Sequence, residues 1–331
     1  MSLPPPQCVL VTGGAGYVGS HAALELLRAG HQVIIVDTLE RSSGEAIERL
    51  RRIGDIEFIQ GDCGDPEIVA QPLSRADTVM HFAAYARVEE SIECPERYQH
   101  NNVEVTRSLL KSAIKAGVSR FIFSSTCAVY GSPGPEHLPV TENAPMDPQN
   151  PYGDTKVQAE AVLAAASAPH PFATGVLRYF NVIGADADGA LAEPVVEARL
   201  LCACLQAARG ERDHFTINGT DYDTPDGTAV RDFVHVTDIA GAHGSLMTAL
   251  EDGQHLVCNV GCGHGTSVRD IVQAVEAVCG HPISVVEGPR RPGDIPATWA
   301  DTTRIRETLN WSPRYDDIAA MVSTSWNADR A

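Results

Sequence analysis

The chain has 331 residues, 44% hydrophobic and 21% charged, and its 25 Lys and Arg against 43 Asp and Glu leave a net charge of −18. This composition is globular, and it excludes the collagen-like and disordered classes. The acidic excess, with no Lys/Arg-rich run to offset it, argues against nucleic acid or anionic lipid as a partner, and no stretch approaches the ~18 consecutive apolar residues of a membrane span.

At roughly 100 to 200 residues per domain, the length suggests one large or two closely coupled domains. The start, Met1-Ser2-Leu3-Pro4-Pro5-Pro6, lacks the basic and apolar regions of a signal peptide. Nine cysteines are scattered without CxxC pairs, which fits reduced thiols in a cytoplasmic protein, most of them small buried hydrophobes.

In chain order, Val9-Leu10-Val11, Val33-Ile34-Ile35-Val36, Phe58-Ile59, Val79-Met80-His81-Phe82 and Phe121-Ile122-Phe123 read as strands, each followed by a turn or helix signal. Between the first two, Val18, Ala22, Ala23, Leu26 and Leu27 form an apolar helical stripe that Gly30 stops. This βαβ alternation predicts an α/β fold with a doubly wound parallel sheet covered on both faces. After Val176-Leu177-Arg178-Tyr179 the pattern gives way to an Ala/Asp/Gly-rich stretch, Gly184 to Ala192, the expected exit from the nucleotide domain. Farther on, Val268, Ile271, Val272, Val275 and Val278 predict an amphipathic helix packed on an apolar surface.

Thr12-Gly13-Gly14-Ala15-Gly16-Tyr17-Val18-Gly19 lies between the first strand and the first helix, with Gly13, Gly16 and Gly19 spaced GxxGxxG. Glycine permits a tight turn and close backbone approach, so a pyrophosphate can rest on helix N-terminal amides. Asp37 ends the second strand 18 residues after Gly19, placed for the adenosine ribose hydroxyls. A carboxylate there repels a 2′-phosphate and favours NAD over NADP. Asp62, after the third strand, suits the adenine side or, equally, a helix cap.

Tyr152 and Lys156 stand one helical turn apart after Pro151. A nearby ammonium stabilises a phenolate, so the pair predicts a Tyr pKa lowered from about 10 toward that of a general base. Ser124-Ser125-Thr126 ends a strand upstream, where a hydroxyl can meet a reacting oxygen. The acidic cluster Asp221, Asp223, Asp226 and Asp232 fails as a calcium loop, because Pro225 sits where the fifth ligand belongs and Gly227 comes one residue late. Without HExxH, HxH or paired cysteines, no metal is expected. His81 and His235 lie in strand patterns and read as core residues.

The glycine pattern, the Ser124-Ser125-Thr126 strand end and Tyr152xxxLys156 resemble the extended short-chain dehydrogenase/reductase family. Within it, His81-Phe82-Ala83-Ala84, Leu177-Arg178-Tyr179-Phe180-Asn181 and the stretch from Asp221 to Val236 resemble the UDP-glucose (UDP-galactose) 4-epimerases. The similarity runs from residue 8 to about 315. It implies a Rossmann-type domain over 1–181, with return segments near 232–262, and a smaller C-terminal α+β part over 182–331 that is predominantly substrate-binding.

The resemblance further implies Thr126, Tyr152 and Lys156 as the catalytic set. NAD would be held by Gly13, Gly16, Tyr17, Val18, Gly19, Asp37, Asp62, Cys63, Phe82, Ala83, Ala84, Asn101, Ser124 and Tyr179 together with Tyr152 and Lys156. A UDP-sugar would meet Thr126, Asn181, Arg199, Asn218, Arg231, Arg291, Asp294 and Thr298, with Arg231 and Arg291 facing the diphosphate. The implied reaction is reversible, NAD-dependent inversion at C4 of UDP-glucose or UDP-galactose through a 4-keto sugar.

Four positions depart from the family pattern. Ala86, followed by Arg87, replaces a frequent Lys; Arg199 replaces an Asn; Asn218 replaces an aromatic; and Thr298 stands where some members have Tyr. Small residues at the last position accompany N-acetylated sugars, so a UDP-N-acetylhexosamine is an alternative substrate; the pentose pair UDP-xylose and UDP-arabinose is another, because pentose and hexose differ only at C5 and no motif reads that position. Cys127 and Ala128 follow Thr126 where 4,6-dehydratases usually have Asp-Glu, which disfavours elimination. A non-enzymatic NAD-sensing module is the alternative of a different class. The resemblance also implies a homodimer, joined through helices over 101–116 and 152–166.

Overall fold

A computed structural model describes residues 6–167, 171–192, 199–291 and 293–328. The strands, in chain order, are β1 (Cys8–Thr12), β2 (Gln32–Asp37), β3 (Ile56–Gln60), β4 (Thr78–His81), β5 (Arg120–Thr126), β6 (Ala173–Tyr179), β7 (Asn181–Ile183), β8 (Phe215–Asn218), β9 (Val230–Arg231), β10 (Phe233–His235), β11 (His255–Val260), β12 (Thr266–Ser267), β13 (Val285–Gly288) and β14 (Ala297–Thr298). Seven of them form one wholly parallel sheet in the order β11-β6-β5-β4-β1-β2-β3. All five strands expected from β-branched runs belong to it.

Alternation along the strands divides the core between the two faces. Val9, Val11, Val33 and Ile35 pack on one side with Ala23, Leu24, Ala242 and Leu246 from the helices Tyr17–Arg28 and Val236–Ala249. Leu10, Ile34, Val36 and Phe121 pack on the other with Leu109, Leu110, Ala159 and Leu163 from the helices Val105–Ala116 and Pro151–Ser167. Because both faces are covered, the strands are continuous apolar runs. This is the Rossmann-like arrangement the sequence predicts. The first helix ends as expected, with Gly30 at φ 83° just past it.

A second apolar cluster gathers Leu201, Leu205, Phe215, Ile217, Phe233, Ile271, Val275 and Trp326. Its central helix, Val268–Cys279, opens with a capping box. The Asp270 amide donates to Ser267 Oγ at 3.0 Å, and the Ser267 amide donates to Asp270 Oδ2 at 2.9 Å. Ile271, Val272 and Val275 of the expected stripe are buried. Three small sheets, β12-β9-β14, β10-β7 and β13-β8, surround this cluster.

One helix begins differently from the expectation. The segment from 101 to 116 is not a single α-helix, because His100–Glu104 forms a π-helical turn before Val105–Ala116. His81 and His235 are satisfied core residues. The two ring nitrogens of His81 bond Thr12 Oγ1 at 2.6 Å and Thr106 Oγ1 at 2.8 Å, and those of His235 bond Thr237 Oγ1 and Thr324 Oγ1. All nine cysteines are free thiols. Among the described residues no group of His, Cys, Asp and Glu can hold a metal, and no helix is long and apolar enough to cross a membrane.

Behind the sheet end, Arg178 and Glu160 form an almost wholly buried ion pair at 2.6 Å, and Glu160 also accepts from the Ser125 hydroxyl. Removing one partner strands the other charge in the interior. Glu160→Ala is therefore expected to lower the unfolding free energy by ~3–5 kcal/mol in urea denaturation; a loss below about 1 kcal/mol would mean that the pair is dispensable.

Candidate active site

The glycine turn is shaped by close approaches. Gly13 has φ 70°, and a Cβ there would lie 2.5 Å from the Ala83 amide nitrogen, so the turn fits against the end of β4 only without a side chain. A Cβ on Gly19 would lie 2.3 Å from the Gly13 carbonyl oxygen, which holds the first helix against the turn. Gly16 caps that helix, and Tyr17 and Val18 begin it. At the end of β2, Asp37 accepts from the Ala15 amide at 3.0 Å and the Leu39 amide at 2.9 Å, while burial pushes its carboxyl upward. Asp62 accepts from the Gly64 amide at 2.8 Å and so shapes the turn after β3, and Cys63 beside it is buried with its thiol pushed up to about 12.

Thr126 ends β5, and the helix Pro151–Ser167 carries Tyr152 and Lys156 past that end. Pro151 suits the first helical position because its missing N–H has no partner there to lose. Lys156 Nζ donates to the Ser124 carbonyl at 2.8 Å and lies 4.6 Å from the Phe123 ring centre and 6.0 Å from that of Tyr152. Thr126 Oγ1 accepts from the Ala128 amide at 3.2 Å, and its hydroxyl favours the ionised form of Tyr152. The Ser124 hydroxyl meets the Tyr179 hydroxyl. The Phe82 and Tyr179 rings both face His243, with centres 4.6 and 6.0 Å away, and Ala83 and Ala84 continue from Phe82.

The electrostatics differ from the sequence expectation. Burial pushes the Tyr152 phenol up to about 12, against the Thr126 hydrogen bond, and the lysine does not bring it down. The reason is desolvation: the same dry surroundings push Lys156 down to about 7, opposed by Glu160. The protein by itself favours a neutral phenol beside an ammonium easily discharged.

A cleft of about 1360 Å³ runs from the glycine turn to the second apolar cluster. Gly16, Tyr17, Ala84, Asn181, Arg199, Asn218, Arg231, Arg291 and Asp294 line it, whereas Thr126, Tyr152, Lys156, Asp37, Asn101 and Thr298 lie outside its walls. Among the described lining residues there are seven arginines and four carboxylates, so the cleft is locally positive in an acidic chain. Arg231 Nη2 donates to Asp294 Oδ1 at 3.1 Å. Arg291 donates through Nε and Nη2 to the Asn218 amide oxygen at 3.1 and 3.3 Å, in the amide orientation that satisfies both groups. The Arg199 guanidinium stacks 4.4 Å from the centre of the Tyr17 ring. Thr298 is buried and lies opposite Arg231 in the β14–β9 pair.

Two features escaped the sequence reading. Asn102, beside Asn101, is buried and ties Tyr85 to the helix Pro151–Ser167: its amide nitrogen donates to the Tyr85 carbonyl at 3.0 Å and Thr155 Oγ1 at 3.1 Å, and its oxygen accepts from the Tyr85 amide at 2.9 Å. Only the π-helical turn reveals which of the two asparagines points inward. Ala86 and Arg87 both line the cleft, and the backbone of Arg87 is fixed on both sides by the Tyr98 hydroxyl, which accepts from its amide at 3.0 Å and donates to its carbonyl at 2.7 Å.

Residues 9–261 match the NAD dependent epimerase/dehydratase family. A UDP-glucose 4-epimerase of Azospirillum brasilense is 42% identical over 328 residues, covering 98% of this chain and 92% of that protein. UDP-arabinose 4-epimerase 1 of Arabidopsis thaliana is 41% identical, covering 96% and 78%. Among solved structures, a UDP-glucose 4-epimerase from Stenotrophomonas maltophila with bound NAD and formylated UDP-arabinopyranose superposes with TM-score 0.93 at 37% identity, covering 98% of each chain. A Bifidobacterium longum UDP-glucose 4-epimerase with NAD+ and UDP gives 0.90 at 37%, again covering 98% of each. A glycine turn closed against β4, an aspartate at the end of β2, a Thr-Tyr-Lys cluster and this likeness over nearly the whole length agree: the chain belongs to the NAD dependent epimerase/dehydratase family.

Proposed function

We propose that the protein reversibly inverts C4 of a UDP-sugar, converting UDP-glucose to UDP-galactose and back, through a 4-keto sugar. The observation that carries this reading is the cluster of Thr126, Tyr152 and Lys156 at the end of β5, together with an arginine-lined cleft in the same chain. Bound NAD supplies the hydride acceptor and then the donor, and its cationic ring favours the phenolate that the protein alone disfavours. Tyr152 takes the C4 hydroxyl proton and returns it after the sugar has turned. Thr126 hydrogen-bonds the C4 oxygen, and Lys156 holds the strand end through the Ser124 carbonyl.

Gly13, Gly16, Tyr17, Val18 and Gly19 receive the NAD pyrophosphate in this reading. Asp37 receives the adenosine ribose; Asp62 and Cys63 lie on the adenine side; and Phe82, Ala83, Ala84, Asn101, Ser124 and Tyr179 border the nicotinamide. Arg231 and Arg291 hold the sugar nucleotide's diphosphate while the keto sugar turns, and Asn181, Arg199, Asn218, Asp294 and Thr298 complete that half. Residues 1–181, with the return segments near 232–262, form the NAD-binding domain, and 182–331 form most of the substrate domain. The protein works in the cytoplasm as a homodimer packed through the segments 101–116 and 152–166.

A second substrate reading, UDP-xylose and UDP-arabinose, is favoured by the relatives named UDP-arabinose 4-epimerase and by the arabinopyranose ligand of the Stenotrophomonas structure. Turnover of a UDP-hexose and a UDP-pentose side by side separates the two. An absence of conversion of any UDP-sugar favours the NAD-sensing module.

Tyr152→Phe is expected to cut UDP-galactose conversion by about 10²–10⁴-fold while NAD stays bound, as read by coupled assay and by cofactor release on denaturation; undiminished turnover refutes the role. The buried lysine gives a pH signature. An unfolded chain keeps the Lys156 proton up to about 10.5, whereas the folded protein releases it above about 7, so wild-type stability rises with pH across that window. The stability of Lys156→Met relative to wild type should therefore fall steadily from pH 7 toward 10 in urea titrations, and a difference independent of pH contradicts a desolvated lysine.

A further inference from the structure

The Asp232 carboxylate is fully buried, and no role in the reaction falls to it. It accepts from three backbone amides of two distant segments: Cys262 at 2.7 Å on Oδ1, and Gly263 at 3.0 Å and Ala300 at 3.1 Å on Oδ2. The loop that wraps it is shaped to do so. Gly263 has φ 86°, and a Cβ on Gly261 would stand 2.4 Å from Asp232 Oδ2. The backbone of the same residue is equally engaged. Its carbonyl accepts from the Asn181 amide at 2.9 Å, and its amide donates to the Thr298 carbonyl at 3.1 Å. Arg231, the preceding residue, lies opposite Thr298 in one strand pair and opposite Thr266 in another.

We propose that Asp232 is a positioning residue for the sugar-nucleotide half of the cleft: one carboxylate, clamped by three converging amides, fixes the β9–β10 junction so that Arg231, Asn181 and Thr298 hold one register. A carboxylate suits the place because it only accepts hydrogen bonds, and three donors point at it. An asparagine of the same shape would turn an NH2 group toward an amide and leave a buried donor unmatched. The clamp acts through Arg231, whose guanidinium reaches the Val230 carbonyl at 2.9 Å and Asp294 at 3.1 Å, so a small shift of the junction moves the cation that faces the diphosphate. The glycine turn and β2 lie on other segments and share none of these bonds, so the cofactor half should not feel the change.

This inference rests on the proposed sugar-nucleotide reading, and the test separates the two. UDP is titrated calorimetrically into NAD-loaded wild type, Arg231→Ala, Asp232→Asn and Gly261→Ala, with NAD retention and steady-state constants measured on the same preparations. Asp232→Asn is expected to weaken UDP binding about tenfold or more and to raise KM for the UDP-sugar by a similar factor, with kcat and NAD retention little changed. Gly261→Ala, which presses on the same oxygen, should act in the same direction. Wild-type UDP affinity in both clamp variants overturns the inference, as does a parallel loss of UDP and NAD binding, or failure of both variants to fold, since a general structural role would then suffice. If Arg231→Ala binds UDP normally, the reading of the cleft itself falls; if it binds weakly while both clamp variants bind normally, only the clamp falls.

Discussion

Desolvation at the end of β5 is the constraint on which the site depends. Lys156 is buried and Tyr152 half-buried there, and each is pushed toward its uncharged form, the lysine down to about 7 and the tyrosine up to about 12. On the proposed reading, a cationic nicotinamide ring beside the phenol would make the pair a proton-transfer device, because an opposite charge in dry surroundings favours ionisation far more strongly than it would in water. The parallel sheet brings the needed parts together, since it delivers the glycine turn, the ends of β4 and β5 and the helix Pro151–Ser167 to one edge.

Charge is distributed with the same logic. The chain carries −18 overall, yet seven arginines and four carboxylates line the cleft among its described residues. Two anionic diphosphates can therefore be accommodated in a protein whose surface is acidic. Several of these arginines are already engaged: Arg231 with Asp294, Arg291 with Asn218, Arg199 on Tyr17. Such contacts hold the cations in place ahead of the ligand and reduce the ordering that binding requires.

Much of the fold was legible because its signals are local. Apolar runs at Val9–Val11 and Val33–Val36 and the stop at Gly30 specify strands and a helix without reference to anything distant. The glycine turn was legible for the same reason, since position between strand and helix gives it meaning. Residue pairs on different segments were not legible. Nothing in the spacing shows that Asp232 reaches Cys262, Gly263 and Ala300, that Asn102 rather than Asn101 faces inward, or that Arg199 stacks on Tyr17. The sign of the Tyr152 shift was misjudged because sequence shows the ammonium one turn away and hides the burial that outweighs it.

The central claim, that a desolvated tyrosine is made into a base by the cofactor beside it, is tested most directly by the tyrosinate absorbance of Tyr152. It is obtained as the difference between wild type and Tyr152→Phe during pH titration of protein freed of NAD and of protein reloaded with it. The account predicts ionisation only near pH 12 without NAD, and a shift to below about 10, the ordinary phenol value, with NAD bound. The same midpoint in both titrations would contradict it.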